Sequence, residues 1–252
     1  MPTFFEAFRS NNNEKLINAA KEGKVDIVNN LLDDKKRKVD INFQDKYGAT
    51  ALMYASEFGH SNVAKQLLET GANKDLADKD GKTALMHASG HDQSNVVLQL
   101  LEAGANKDLA DKDGKTALMY ASLYIAEQLL EAGANFDHQD QNGKTALMRA
   151  SQYGHSFAVS QLLKAGANPD LADIKGLTAL MGASACGYFN VATELLEKGA
   201  NVDQADKDFR TALILASANG NLDIVKQLLE KGANVDLADK DGKTALMAWF
   251  FS

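Results

Sequence analysis

The residues from Asp75 to Met86 read DLADKDGKTALM, and this twelve-residue stretch decides how the chain folds. The same letters return unchanged at Asp108–Met119 and again at Asp236–Met247. Within the stretch, Asp80-Gly81 is a tight-turn signal, and Thr83 is a residue type that caps the start of a helix. A turn followed by a capped helix, present three times in identical form, indicates a protein built from repeats.

A shorter signature extends the repeat over most of the 252-residue chain. The tripeptide Thr-Ala-Leu begins at Thr50, Thr83, Thr116, Thr145, Thr178, Thr211 and Thr244. The steps between these positions are 33, 33, 29, 33, 33 and 33 residues. A fixed period of this length predicts a solenoid, because one such unit cannot bury its apolar face alone.

One unit can be interpreted residue by residue. After the Asp80-Gly81 turn and the Thr83 cap, the small residues of 84–89 predict a short helix that allows close approach. A second helix is predicted over 96–101, where apolar residues stand at positions i, i+1, i+4 and i+5. Gly104 follows at the place where a helix ends in a left-handed cap. An extended, polar finger then leads to the next unit.

This unit resembles the ankyrin repeat. The family's TPLHxAA signature appears here as TALM-x-AS, its Gly-His turn is present at Gly59-His60 and Gly154-His155, and its LLxxGA ending closes nearly every unit. The resemblance runs from about Asn13 to the C-terminus. It implies an all-α ankyrin-repeat solenoid of stacked helix-turn-helix units with β-hairpin-like fingers. In that fold the fingers and first helices line the concave side.

The period predicts how the chain is divided. Residues 1–45 form a lead-in and an N-terminal capping repeat, whose exposed positions are polar. Full repeats follow, and a partial repeat occupies residues 240–252. The full repeats span 46–78, 79–111, 112–140 (shortened), 141–173, 174–206 and 207–239.

Two repeats depart from the pattern. The 112–140 repeat lacks four residues, so that only Leu123-Tyr124 separate Ser122 from Ile125. We predict a shortened first helix there and a local change of curvature; the alternative is a tolerated scar of recombination between similar repeats. The 207–239 repeat has Phe209 where other repeats have glycine, and a bulky residue at positive φ is unusual. We therefore predict that this finger rearranges and presents the ring.

Composition limits the class of protein. The net charge is −7 and the fingers carry more acid than base, which argues against a surface that follows nucleic-acid phosphates. Cys186 is the only cysteine, which fits a reducing compartment. No apolar run reaches membrane-spanning length, and Met1–Arg9 lacks the pattern of a signal peptide. We expect a cytoplasmic protein that binds neither nucleic acid nor membrane, with signal-independent export left open, as in a host-directed effector of an intracellular bacterium.

The search for chemistry points away from an enzyme. The sequence has no GxSxG, P-loop or HExxH motif, and no GxGxxG in a suitable context. His87 and His91 are four residues apart, but no third metal ligand has the right spacing. We therefore expect no catalytic residues, no cofactor and no metal site.

Methionine takes the place of the family's histidine in six of the repeats, at Met53, Met86, Met119, Met148, Met181 and Met247. A stripe of methionines at one repeat position is interpreted as core filling rather than as a path for a soft metal ion. We expect no hydrogen bond from this side chain to the capping threonine.

The positions that vary between repeats carry the candidate binding residues. In the ankyrin family these positions face the concave groove, and here they hold residue types that are enriched at protein interfaces. The alternative for some of the rings is that they shield the turn between the two helices. The predicted partner-binding residues are Tyr47, Tyr54, Phe58, His87, Tyr120, Arg149, Tyr153, Ile174 and Phe209.

The sequence therefore predicts a non-catalytic scaffold that binds a partner protein, with a basic surface, through the concave face. The alternative is a structural spacer or a self-assembling unit. Its basis is the three identical twelve-residue blocks, which on this view simply record recent duplication. Such a unit would associate through the apolar end Trp249-Phe250-Phe251, whose rings either fold back as a cap or leave a surface for weak self-association.

Overall fold

The structure is a computed structural model that describes residues 4–33 and 39–250, with side chains from residue 12 onward except that of Leu123. Residues 1–3 of the predicted lead-in and Phe251 of the apolar end lie outside this part of the chain. The described ranges contain fifteen α-helices and no β-strand, which confirms the predicted all-α class. The helices are α1 (Phe4–Lys21), α2 (Val25–Asp33), α3 (Ala51–Glu57), α4 (Ser61–Glu69), α5 (Ala84–Gly90), α6 (Ser94–Glu102), α7 (Ala117–Tyr120), α8 (Leu123–Glu131), α9 (Ala146–Gln152), α10 (Ser156–Ala165), α11 (Ala179–Cys186), α12 (Phe189–Glu197), α13 (Ala212–Ala218), α14 (Leu222–Glu230) and α15 (Ala245–Phe250).

The chain divides into two compact units, residues 1–134 and 135–252. In the first unit the first helices pack in the order α1, α3, α5 and α7, and the second helices in the order α2, α4, α6 and α8. In the second unit the corresponding orders are α9, α11, α13, α15 and α10, α12, α14. Each first helix up to α13 also packs on the second helix that follows it. Such nearest-neighbour packing is the physical definition of a repeat protein.

The capping threonines begin the first helices as predicted. In five repeats the threonine hydroxyl accepts a hydrogen bond, 3.2–3.4 Å long, from the backbone N–H three residues on. At Thr50 the sulfur of Met53 also accepts the threonine's own backbone N–H, at 3.3 Å. The expectation that this methionine makes no bond to the threonine is therefore wrong in that repeat. A thioether is a weak acceptor, but the helical turn brings it to the right place.

The methionine stripe is mostly core. Met53, Met86, Met148 and Met181 are buried, together with leucines such as Leu52, Leu85, Leu147 and Leu180. Met119 in the shortened repeat is half-buried, and Met247 in α15 is exposed. Core filling is therefore confirmed for these four buried methionines.

The shortened repeat loses residues mainly from its first helix rather than from the connection between its two helices, as predicted. Helix α7 has four residues, and two residues separate it from α8. The loss of a turn from helix α7 destabilises the repeat locally, because the Thr116 hydroxyl is buried and bonds to no described group. The expected change of curvature stays a prediction.

The finger that carries Phe209 keeps the ordinary turn, so the predicted rearrangement is wrong. Phe209 has φ +59°, in the left-handed region, and its N–H donates to Asp206 O at 2.9 Å. The equivalent Gly81 has φ +83° and donates to Asp78 O at 3.0 Å. The second half of the prediction holds, because the Phe209 ring is exposed.

Replacing Phe209 by glycine should stabilise the protein. The left-handed conformation destabilises a residue with a Cβ by about 1–2 kcal/mol, and glycine is free of this strain. Glycine also makes the unfolded chain more flexible, which offsets part of the gain in stability. We expect Phe209→Gly to raise the free energy of unfolding by about 0.5–1 kcal/mol in urea titrations. Phe209→Ala, the matched control, keeps a Cβ and should show no such gain; a loss of stability in Phe209→Gly would contradict the assignment of strain.

Candidate protein-interaction face

Seven aspartates hold the fingers in shape. In each, Oδ1 accepts hydrogen bonds of 2.8–3.1 Å from the backbone N–H groups two and four residues later. These finger aspartates are Asp45, Asp78, Asp111, Asp140, Asp173, Asp206 and Asp239. Because an aspartate that bonds its own following backbone mimics a turn, each finger is rigid by itself.

The second oxygen of four finger aspartates reaches the first helix. The donor in every case is the side chain nine residues later, in the slot after the methionine. Tyr54 Oη lies 2.8 Å from Asp45 Oδ2, His87 Nε2 lies 2.8 Å from Asp78 Oδ2, and Tyr120 bonds Asp111 in the same way. In the second unit Arg149 lies 2.5 Å from Asp140 Oδ2. Each of these bonds ties a finger to its helix.

The pKa values of Asp45, Tyr54 and Asp140 are shifted in the directions that preserve these hydrogen bonds. Burial raises the pKa of Asp45, but the hydrogen bonds from Tyr54 and from two finger N–H groups outweigh it and leave that pKa below its usual value. Burial, and then the bond to Asp45, raises the pKa of the Tyr54 hydroxyl well above its usual value. Burial likewise opposes ionisation of Asp140, and Arg149 with two N–H groups lowers its pKa overall. Near neutral pH the Asp45 and Asp140 carboxylates are therefore charged and the Tyr54 hydroxyl is neutral.

The structure separates the predicted binding residues into two kinds. Tyr54, His87, Tyr120 and Arg149 are partly buried and serve the framework through their aspartates. The remaining five present between 50% and 62% of their surface to solvent. These exposed residues are Tyr47, Phe58, Tyr153, Ile174 and Phe209.

The exposed residues stand on fingers and at the ends of first helices, a surface that we call the finger face of each unit. Backbone bonds between neighbouring fingers fix it: Lys79 N donates to Tyr47 O at 3.0 Å, and Ile174 N donates to Asn142 O at 2.9 Å. Gly48 allows the close approach at this junction, because a Cβ there would lie 2.8 Å from Lys79 N. The finger face is therefore a set of projecting apolar side chains on a backbone that is already ordered.

In the first unit, Phe58 extends an aromatic cluster. Its ring is stacked on Tyr54 with centroids 6.5 Å apart, and Lys21 Nζ lies 3.8 Å from the centroid of the Tyr54 ring. Lys82 Nζ lies 4.9 Å from the centroid of Tyr120. Sequence reasoning missed these lysines and the aspartate ties. The recurring spacing of nine residues from Asp to Tyr, His or Arg was the signal that could have found the ties.

The residues considered for chemistry are engaged in the framework. His87 bonds Asp78, and His91 Nδ1 lies 3.0 Å from His87 O. Among the side chains that the structure describes, no group of three or more His, Cys, Asp or Glu is placed to hold a metal ion. In the same part of the chain, no helix combines the length and the apolar content that crossing a bilayer requires.

Helix pairs at a fixed period, joined by aspartate-braced fingers, define a helical repeat protein. The family model for ankyrin repeats matches residues 16–111, 72–139, 122–206 and 201–248. The chain belongs to the ankyrin-repeat family, as its TALM-x-AS signature predicted, and the repeats of this family generally act as protein–protein interaction modules. The chain is also similar to inversin from Danio rerio, with 46% identity over 57 residues, which is 23% of this chain and 6% of inversin.

The two kinds of residue should respond differently to truncation. Arg149→Ala leaves the buried Asp140 carboxylate without its side-chain partner, so we expect a loss of about 1–3 kcal/mol in the free energy of unfolding. Tyr153→Ala, four residues further on, removes an exposed ring and should change stability by less than about 0.5 kcal/mol. Urea unfolding of both variants tests this, and equal losses would show that Arg149 does not brace the finger.

The Arg149–Asp140 bond should also be visible in the pH dependence of stability. Because the pKa of folded Asp140 is lowered, its contribution is complete above the unfolded value of about 3.9 and is lost as the pH falls through the folded value. The stability difference between the wild type and Asp140→Asn should be constant from about pH 7 to 5 and shrink below about pH 4. A difference that grows on acidification would contradict this assignment.

Proposed function

We propose that this chain is a non-catalytic scaffold that binds a partner protein through its finger face. The observation that carries the proposal is that the predicted binding residues fall into two groups, one bonded to the finger aspartates and one exposed to solvent. Four predicted anchors brace the framework, whereas Tyr47, Phe58, Tyr153, Ile174 and Phe209 are large apolar side chains left exposed on it. Exposed aromatic side chains on a pre-ordered backbone bind with little further loss of conformational entropy.

The chemistry of the partner follows from charge. The chain carries a net charge of −7, and acidic residues recur in the fingers beside the exposed rings. We propose a partner whose contacting surface is basic, because opposite potentials speed association and favour correct docking. The exposed, unpaired Cys186 supports a reducing, cytoplasmic setting. The repeats that begin at residues 46, 79, 112, 141, 174 and 207 are the units proposed to present this face.

Capture of partners from a cell lysate tests the finger face directly. The test variant combines Tyr47→Ala, Phe58→Ala and Tyr153→Ala, which remove exposed rings and leave every aspartate tie in place. The matched control combines Tyr124→Ala, Phe157→Ala and Phe189→Ala, which remove comparably exposed side chains from second helices. A partner held by the wild type and the control, but at least about tenfold less by the test variant, is the expected result.

Salt gives the second readout of the same experiment. A basic partner should be retained less as the salt concentration rises from about 0.05 to 0.5 M, because surface charges are then screened. If the wild type and the finger-face variant retain the same proteins, the finger face is not the binding surface.

One observation favours the alternative of end-to-end assembly. Helix α15 leaves an apolar groove of about 360 Å³ open at the last repeat, with lining residues that include Leu213, Leu222, Leu229, Leu246 and Trp249. The predicted cap is wrong for the described rings, since Trp249 is half exposed and Phe250 more so. If the chain assembles through this groove, its mass in sedimentation experiments should rise with protein concentration, and the Leu246→Lys variant should stay monomeric. A constant monomeric mass would remove this alternative.

A further inference from the structure

Three finger aspartates lack the bond from the first helix that the other four make. Of the two more buried ones, Asp173 and Asp206, Asp173 is the one that no other described side chain compensates. Asp173 Oδ1 accepts its two backbone N–H groups at 2.8 and 2.9 Å, like every other finger aspartate. Nine residues later stands Gly182, where other repeats have Tyr54, His87, Tyr120 or Arg149. Among the described residues no group donates to Asp173 Oδ2, although Asp173 is only 8% exposed. Oδ2 is nevertheless not sealed from solvent, so a donor from outside the chain can reach it, and this position has unused binding capacity.

The missing side chain leaves a pocket. A cavity of about 240 Å³ opens beside Gly182, within the second unit, and Asp173 lines it. Its apolar walls include Met148, Met181, Leu177 and Leu215. Its polar lining residues are Asp173, Lys144, Gln152, Thr178 and Arg210. A few polar groups beside apolar walls are the usual composition of a site for an amphipathic group.

The cations that line the pocket are engaged elsewhere. Lys144 Nζ donates to Gln152 at 2.9 Å, and Arg210 binds Asp206 through Nε at 2.9 Å and through its terminal nitrogen at 2.7 Å. Both positive side chains nevertheless line the pocket, so an incoming cation would meet like charge there. A ligand that supplies a neutral donor therefore fits better than another guanidinium or ammonium group.

The same chain shows which neutral donor fills such a position. Tyr120 bonds Asp111 with its ring beneath Lys82 Nζ, 4.9 Å from the centroid. Lys144 stands 38 residues before Gly182, as Lys82 stands 38 residues before Tyr120. The pocket thus offers a phenol the same carboxylate and the same type of lysine that the first unit offers to its own tyrosine.

We propose that the Gly182 pocket binds a tyrosine side chain of a partner protein. The phenol O–H donates to Asp173 Oδ2, the ring packs on the partly exposed Leu177 and Leu215 beside Met148, and the Lys144 ammonium faces the ring. This inference rests on the proposed function, because it names the side chain that a partner presents to the finger face of the second unit.

A titration with N-acetyl-tyrosinamide tests the pocket without any partner. The full-length chain is labelled at its methionine methyl groups, and the signals are assigned with Met148→Leu and Met181→Leu. Saturable shifts at these two methyl groups are expected. N-acetyl-phenylalaninamide, which lacks the donor, should bind at least about tenfold more weakly. Tighter binding of N-acetyl-argininamide, or no saturable shift with the tyrosine probe, would overturn the proposal.

Filling the pocket from within is the second test. Gly182 is helical with no left-handed φ, and a Cβ there would meet its nearest neighbour at 3.8 Å, so larger residues are sterically allowed. Gly182→Tyr should abolish probe binding and raise the melting temperature, whereas Gly182→Ala should keep binding within about threefold. Unchanged binding in Gly182→Tyr would contradict the site. Because no partner is present, failure here is distinct from failure of the lysate capture.

Discussion

Every finger depends on one carboxylate, which in four repeats has two separate tasks. One oxygen of a finger aspartate, such as Asp78, accepts two finger N–H groups, and the other accepts a donor from the first helix. Burying a charge is expensive unless its lone pairs are used, and three hydrogen bonds offset most of that cost. The finger is thereby given its shape and its attachment by the same group. Neighbouring fingers then join through backbone bonds, as when Lys112 N donates to Asp80 O at 3.0 Å.

This arrangement changes the meaning of variation between repeats. The slot after the methionine holds tyrosine, histidine or arginine, a choice that suggests a surface free to suit a partner. In the structure the three residue types share one property, a hydrogen-bond donor that reaches Asp Oδ2 from the helix. The slot therefore varies under a constraint. The freedom lies in residues that bond nothing in the framework, and Phe58 and Tyr153 at the ends of first helices are examples.

Local signals predicted most of the fold. The cap at Thr83, the left-handed Gly104 and the loss of a turn from α7 each depend on a few adjacent residues, so the sequence is enough. The finger of Phe209 was mispredicted because its conformation is decided by several bonds at once. Asp206 holds its N–H groups, and Lys207 N and Lys240 N bond the neighbouring fingers at 2.9 Å. Together these bonds exceed the strain of about 1–2 kcal/mol in one residue.

The pocket beside Gly182 was harder to predict from the sequence, because it depends on a hydrogen bond that one finger aspartate does not make. Three finger aspartates have no donor in the helix slot, which holds Gly182, Leu215 or Ala248. Asp206 takes its donor from Arg210 of its own finger, and Asp239 is partly open to water. Asp173 has no such side-chain donor and is only 8% exposed. An incoming donor would therefore gain a bond at its Oδ2 that the folded chain does not already make. We expect the most specific contact of the second unit's finger face beside Gly182.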